Sequence, residues 1–345
     1  MTRPTLSSVD ASVAVPDRKS EHLRIAAGAG VEHRAGPGLA SVRLRHRALP
    51  ERDLEDVGLE TRVLGRTLRA PLLVSAMTGG TPEAGVINRR LMSAAAKRGL
   101  AFTFGSGRQL LDDPDLLATY RPDEHQRPPL LLANLGGGQL RGGDGPVRAE
   151  RVVELLGADG LSVHLNPLQE AIQPEGQVAF DGVLAGVAAA VERVAPLPVV
   201  VKEVGFGLSG ADVKALQEAG VAAVDVAGAG GTNWALVEGF RDERAASLAA
   251  AFSDWGLTTA EALEAATAAA PGLPVIASGG LRDGVDCAKC LALGAVLAGM
   301  ARPLLLAARA DRADDVLATV VRQLQIATWL TGASGSSQLG REHLA

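Results

Sequence analysis

The sequence predicts an α/β fold, a (β/α)8 barrel of the TIM type carrying an N-terminal extension. Eight short β-rich apolar runs recur after residue 70, and helical patterns with apolar positions at i, i+3 and i+4 lie between them. Glycine-rich or polar segments follow these runs, where a barrel of this kind carries its site. Strand-helix alternation implies parallel pairing through right-handed crossovers, and eight such units favour closure over an open doubly wound sheet.

In chain order, residues 1–16 (MTRPTLSSVDASVAVP) lack periodicity and are expected to form a disordered tail. Residues 17–70 make up the extension. The barrel, 71–333, opens with LLVSA (72–76), the helical pattern GVINRRLMSAAAKRG and LAFTF (100–104). LLLAN (130–134), the helix VRAERVVELLGA and GLSVH (160–164) follow. DGVLAGVAAAVERV leads to PVVVK (198–202), SGADVKALQEAG to AAVDV (222–226), TAEALEAATAAA to PVIAS (274–278), and DGVDCAKCLALG to AVLAG (295–299). DDVLATVVRQLQIATWLTG is the final helix, and 334–345 is expected to be a C-terminal tail. The connection at 228–257 is long enough to act as a lid.

With 345 residues, 47% apolar and 21% charged, the chain can bury one large α/β core. Its longest apolar runs, such as LPVVV and GAVLAGM, fall short of the ~20 residues that span a bilayer. No signal-peptide pattern opens the chain, so a cytoplasmic protein without a membrane partner is expected. A net charge of −5 gives no support for nucleic-acid binding, yet leaves room for a local basic pocket. Cys287 and Cys290 share one helical face in CAKC and read as small hydrophobes; a zinc site would need two further ligands.

Gly279 and Gly280, and the Ala298-Gly299 turn, follow the last two runs, where barrels commonly bind phosphate. Such turns also occur for conformational reasons alone. Ser75, Ala76, Met77, Thr78, Asn134 and Lys202 would face inward nearby. A buried lysine needs an electron-rich partner: for Lys202 either the N1/C2 carbonyl edge of a flavin, or a core ion pair with Glu203 or Asp225. RKSEH (18–22) carries three potential cations, which taken alone read as solvated surface. Arg108 in GSGRQ adds a cation at the mouth, and a guanidinium fork with a lysine point charge suits a diphosphate. In HLNPLQE, Glu170 is either a hard oxygen ligand for Mg2+ shared with substrate phosphate, or a carboxylate at a helix start.

RKSEH, SAMTGG, GSGRQ, HLNPLQE with EG downstream, VKEVGFG, AGAGGTNW, FSDWG, SGGLRDG and LGA…AGMARP, in that order, resemble the type 2, FMN-dependent isopentenyl-diphosphate isomerases. The resemblance spans residues 18 to about 333. It implies FMN contacts at Ala76, Met77, Thr78, Ser106, Asn134, Lys202 and Thr232, with the phosphate on Gly280, Leu281, Arg282, Ala298 and Gly299. It implies substrate contacts at Arg18, Lys19, Ser106, Arg108, His164, Asn166 and Gln169, and Mg2+ on Glu170. The implied reaction interconverts isopentenyl and dimethylallyl diphosphate in isoprenoid biosynthesis. It needs reduced FMN with NADPH or NADH as reductant, and a homotetramer or larger assembly. The flavin's N5 and N1 are the expected proton carriers, with Gln169 positioning the alkene end or relaying a proton.

An FMN-dependent 2-hydroxy-acid oxidase is the first rival. That family reads His-Gly-Gly-Arg after the sixth strand, where this chain reads Ala229-Gly230-Gly231-Thr232 and lacks the base. An inosine-monophosphate-dehydrogenase-like reading needs a nucleophilic loop cysteine, whereas both cysteines here lie in a helix pattern. A non-catalytic flavin-binding barrel has no need for the substrate-side cations and Glu170.

Overall fold

The computed structural model describes residues 15–121 and 127–345. Its strands are β1 (Thr61–Val63), β2 (Arg66–Leu68), β3 (Leu72–Val74), β4 (Ala101–Thr103), β5 (Leu130–Gly136), β6 (Gly160–His164), β7 (Val199–Lys202), β8 (Ala223–Asp225), β9 (Val275–Ser278) and β10 (Leu297–Met300). β1 and β2 form an antiparallel hairpin, while β3 to β10 close as a parallel barrel, with Ala298 of β10 opposite Leu72 of β3. The eight apolar runs of the sequence are these eight barrel strands.

The helices are α1 (Val15–Ala27), α2 (Pro82–Arg98), α3 (Arg108–Asp112), α4 (Leu117–Tyr120), α5 (Gly145–Leu156), α6 (Pro167–Ile172), α7 (Val183–Val194), α8 (Gly210–Glu218), α9 (Trp234–Arg241), α10 (Glu243–Ala250), α11 (Thr259–Ala269), α12 (Gly284–Ala292), α13 (Arg302–Arg309) and α14 (Ala313–Leu330). Local chemistry explains several of their ends. Thr81 caps α2 by accepting from the Ala84 N–H, and Gly99 ends it in the left-handed conformation at φ 65°. Ser209 with Asp212, and Thr258 with Glu261, form capping boxes on α8 and α11.

Alternation along the strands sorts the side chains into two populations. Leu73, Ala101, Leu130, Leu132, Val200, Ala223, Ile276 and Leu297 fill the lower barrel interior, joined by Val63 and Leu68 of the hairpin. The hairpin therefore plugs the N-terminal end of the barrel. One pleat further along, the inward positions turn polar, with Asn134, Ser162, Lys202, Asp225 and Ser278 all buried. An apolar floor thus supports a polar upper layer facing the C-terminal mouth.

Three expectations change. The expected tail over 1–16 lies outside the described residues as far as residue 14, and its last two positions already belong to α1. The stretch 228–257 is no open loop but carries the helical pair α9 and α10. Asn233 caps α9, Asp242 caps α10, and Ala235, Val237, Ala245 and Ala249 bury their inner faces. The C-terminal residues 334–345 are docked on the extension: Leu344 bridges Leu44, Gly335 bridges Gly58, and the Arg45 N–H donates to the His343 carbonyl at 2.7 Å. Cys287 and Cys290 are buried free thiols on α12, and burial pushes both thiols up.

The extension touches both ends of the barrel. α1 lies over the mouth, where Arg302 at the start of α13 donates to the carbonyls of Ala26 (2.9 Å) and Gly28 (2.7 Å). Beyond it, Glu32 bridges Thr232, with the His33 N–H on Gly231 O and the Asn233 N–H on Val31 O. Among the described residues, no helix is long and apolar enough to cross a membrane.

Candidate active site

A cavity of about 580 Å³ opens at the C-terminal mouth beneath α1. It collects the sequence-derived site residues from loops on every side of the barrel, all except Ala298. Ala298 belongs to the cluster that faces the helices, and its N–H is taken by the Pro71 carbonyl.

One end of the cavity is made of backbone. The loops after β8 and β9 meet glycine to glycine: a Cβ at Gly279 (φ 105°) would stand 2.0 Å from Gly228 O, and one at Gly280 (φ 75°) 2.3 Å from Gly230 O. A Cβ at Gly299 would stand 2.5 Å from Ser75 Oγ, a buried hydroxyl without a partner among the described residues. Side chains are thus kept away where a planar ring and a phosphate need close backbone approach. The N-terminus of α13 borders this end, and no side chain caps it. These features fit the phosphate end of FMN. Arg282 lines the same wall, with 65% of its side chain exposed and its Nε paired to Asp286 at 2.9 Å.

The centre is set by β5 to β9. Lys202 and Asp225 stand opposite each other on adjacent strands, both buried. Asp225 Oδ1 accepts from Ser278 Oγ at 2.7 Å, while the Lys202 ammonium donates to the Glu203 carbonyl. Burial raises the Asp225 carboxyl against the pull of Lys202. Burial likewise pushes Glu203 up to about 7, although its carboxylate accepts the N–H groups of Val204, Gly205 and Phe206. Each alternative for Lys202 read from the sequence finds its geometry here: the ammonium sits beside two carboxyl groups and also lines the cavity. His164 Nδ1 lies 2.7 Å from Asn134 Oδ1. Burial, then Lys202 and Lys19, push that imidazole down to about 3, so it is neutral at ordinary pH.

The far end is polar and charged. α6 starts at Pro167 with Asn166 as its N-cap residue, so its first turn brings Asn166 Nδ2 to 3.2 Å from Gln169 Oε1 and 3.0 Å from Glu170 Oε1. The other Glu170 oxygen accepts from the Gln177 N–H at 2.7 Å. Among the described residues, no group of three or more His, Cys, Asp or Glu could hold a metal ion. A hard cation at Glu170 would therefore have one carboxylate and otherwise substrate oxygens and water, a mode suited to Mg2+. α1 contributes Arg18, 3.6 Å from Glu175, and Lys19, while Arg108 projects exposed from the first turn of α3.

Glu238 is the main residue that sequence reasoning missed. This fully buried α9 carboxylate accepts from Gln169 Nε2 at 2.7 Å and Arg241 Nη1 at 2.6 Å, and lies 3.0 Å from His22 Nε2. Although burial opposes ionisation, His22, Gln169 and Arg241 together hold its carboxyl below the usual range. Gln173, in the amide orientation its neighbours require, adds a bond to Glu238 Oε1 at 3.2 Å and accepts from Arg18 at 3.1 Å. The available signal was the i, i+3 spacing of Glu238 and Arg241, inside a stretch read as a connection.

A parallel barrel with a glycine cradle beyond its last two strands and an inward lysine on β7 defines the flavin-type, phosphate-binding class of TIM barrels. The FMN-dependent dehydrogenase family model matches residues 176–345. A mandelate oxidase variant with benzaldehyde shares the fold at TM-score 0.65 and 20% identity, covering 97% of this chain and 98% of that one. A flavocytochrome b2 variant with benzoylformate does so at TM-score 0.64 and 17% identity, covering 95% and 79%. Much nearer in sequence are proteins named isopentenyl-diphosphate delta-isomerase. The Xanthobacter autotrophicus protein is 48% identical over 95% of this chain and 97% of its own. The Nostoc sp. protein is 43% identical over 98% and 97%. The chain belongs to the isopentenyl-diphosphate delta-isomerase family, in its FMN-dependent form.

Proposed function

We propose that the protein converts isopentenyl diphosphate to dimethylallyl diphosphate by a redox-neutral 1,3-allylic isomerisation that requires reduced FMN and Mg2+. The observation that carries this reading is the division of one cavity into a glycine-walled end and an end bearing Arg18, Lys19, Arg108, His164, Asn166 and Gln169. The first suits FMN and the second a diphosphate.

The chemistry supplied by reduced FMN when bound, with NADPH or NADH as its reductant, is proton donation and acceptance at the allylic system. The chain's own residues bind and orient. Ala76, Met77, Thr78, Ser106, Asn134, Lys202 and Thr232 would surround the ring system. Gly280, Leu281, Arg282 and Gly299 would meet the phosphate, whereas Ala298 would contribute only through the strand it belongs to. Lys202 would stabilise negative charge on the reduced ring. Arg18, Lys19, Arg108, His164 and Asn166 would bind the diphosphate, and Glu170 would share Mg2+ with its oxygens. Gln169, held by Glu238, would face the reacting end, where its fixed amide limits the positions open to the alkene. A cytoplasmic homotetramer or larger assembly accompanies this reading.

A 2-hydroxy-acid oxidase would need a histidine after β8, where Gly230, Gly231 and Thr232 stand instead. The experiment is anaerobic incubation of FMN-loaded, photoreduced protein with Mg2+ and isopentenyl diphosphate. In parallel, the oxidised protein is mixed with lactate and mandelate. Dimethylallyl diphosphate in the first arm and no flavin reduction in the second support the proposal; the reverse pattern sinks it.

A further inference from the structure

The chain contains a single tyrosine, Tyr120 at the end of α4, and it is completely buried. Its hydroxyl donates to the Ser106 carbonyl at 2.7 Å, which leaves oxygen lone pairs facing α1. Lys19 Nζ reaches down from α1 to donate to that oxygen at 2.8 Å and to Ser106 O at 3.3 Å. The ammonium also lies 5.2 Å from the centre of the Tyr120 ring.

The neighbouring glycines leave room for this arrangement. A Cβ at Gly79 would stand 2.1 Å from the Tyr120 ring, and one at Gly80 would stand 2.1 Å from Gln109 Oε1 and 3.2 Å from Lys19 Nζ. SAMTGG and GSGRQ thus form the two sides of a slot, with Tyr120 as its base and the Lys19 ammonium lying in it.

The acceptors in the slot are neutral. Among the described residues Lys19 forms no ion pair; the charged or titratable groups facing it are Arg18 on its own helix, His164 across the cavity and Tyr120 beneath. A carboxylate in the position of Tyr120 would neutralise the ammonium and compete with an incoming anion. A phenol oxygen and a carbonyl fix the position of the charge and leave it uncompensated. Arg18 differs, since Glu175 already lies 3.6 Å from it.

We propose that Tyr120 is a positioning residue that holds Lys19 as an uncompensated cation for the substrate diphosphate, so that the anion itself supplies the missing counter-charge. This rests on the assignment of Lys19 to diphosphate binding made above. The test compares FMN-loaded wild type, Tyr120→Phe, Lys19→Met and the double variant. The KM for isopentenyl diphosphate, kcat, the Kd for inorganic pyrophosphate and FMN fluorescence quenching are measured for each. Phenylalanine keeps the ring, so the core stays filled. Tyr120→Phe is expected to raise KM and the pyrophosphate Kd roughly tenfold. Under the same conditions kcat should stay within about twofold, FMN affinity should hold, and Tyr120→Phe should add nothing in the Lys19→Met background. Equal losses in both backgrounds, or a loss of FMN affinity in place of pyrophosphate affinity, would overturn the inference while leaving the isomerase reading intact. If Lys19→Met itself leaves pyrophosphate affinity unchanged, the assignment of Lys19 fails and the inference falls with it.

Discussion

Lys19 makes the substrate end of the site sensitive to pH. Burial, reinforced by Arg18, brings its ammonium down from 10.5 to about 7 in the free protein. The sign follows directly: below that value Lys19 is charged, and above it the proton is lost and diphosphate binding weakens. Between about pH 6 and pH 9 the KM for isopentenyl diphosphate should rise, by up to roughly tenfold per unit above 7, while FMN affinity changes little. A flat KM profile would remove Lys19 from the binding step. At this scale HLNPLQE was legible, since a polar run directly after an apolar strand must lie at the barrel mouth. Glu238 was not, because its meaning comes from His22, Gln169 and Arg241 converging on it from α1, α6 and its own helix. Tyr120 was equally silent: α4 is one short turn, and the contact with Lys19 spans 101 positions of sequence.

Among the elements, the α9–α10 pair links the extension to the site. Asn233 is completely buried; its Oδ1 caps the Leu236 N–H at 3.1 Å and its Nδ2 reaches the carbonyls of Phe252 and Ser253, each at 3.1 Å. Asn233→Ala removes the cap and strands those carbonyls, which should cost about 2–3 kcal/mol by denaturant unfolding. Hydrogen exchange over 234–257 should quicken, because the pair loses its anchor at both ends. Unchanged exchange there would show that packing alone fixes the pair. The eight barrel strands were readable because each is a short apolar, β-rich run bounded by turn residues. α9 and α10 were hidden by their brevity, eight residues each, and by large apolar residues left outward at Phe240 and Leu248. α1 was hidden by its charge: a helix whose inner face makes ion pairs shows no apolar stripe.

In the whole molecule, stability and chemistry occupy opposite ends of the barrel. The hairpin closes the lower end with Val63 and Leu68, and Arg66 ties it to Asp159 at 2.6 Å. Leu68→Ala, at a fully buried position, should therefore destabilise the fold by about 2–5 kcal/mol and leave FMN affinity unaltered; weakened flavin binding would mean the two ends are coupled. The count of eight units carried the architecture from the sequence. The course of the extension did not show, because its bonds join residues far apart without local periodicity, as where Arg45 meets His343. The central claim is that a single cavity holds a reduced flavin and a diphosphate side by side for a reaction without net oxidation. The most direct measurement follows the visible band of photoreduced, FMN-loaded protein anaerobically while excess isopentenyl diphosphate is added with Mg2+. Dimethylallyl diphosphate should accumulate far beyond one equivalent per flavin with the band still bleached. Product limited to one equivalent with the oxidised band returning, or no product at all, would contradict the claim.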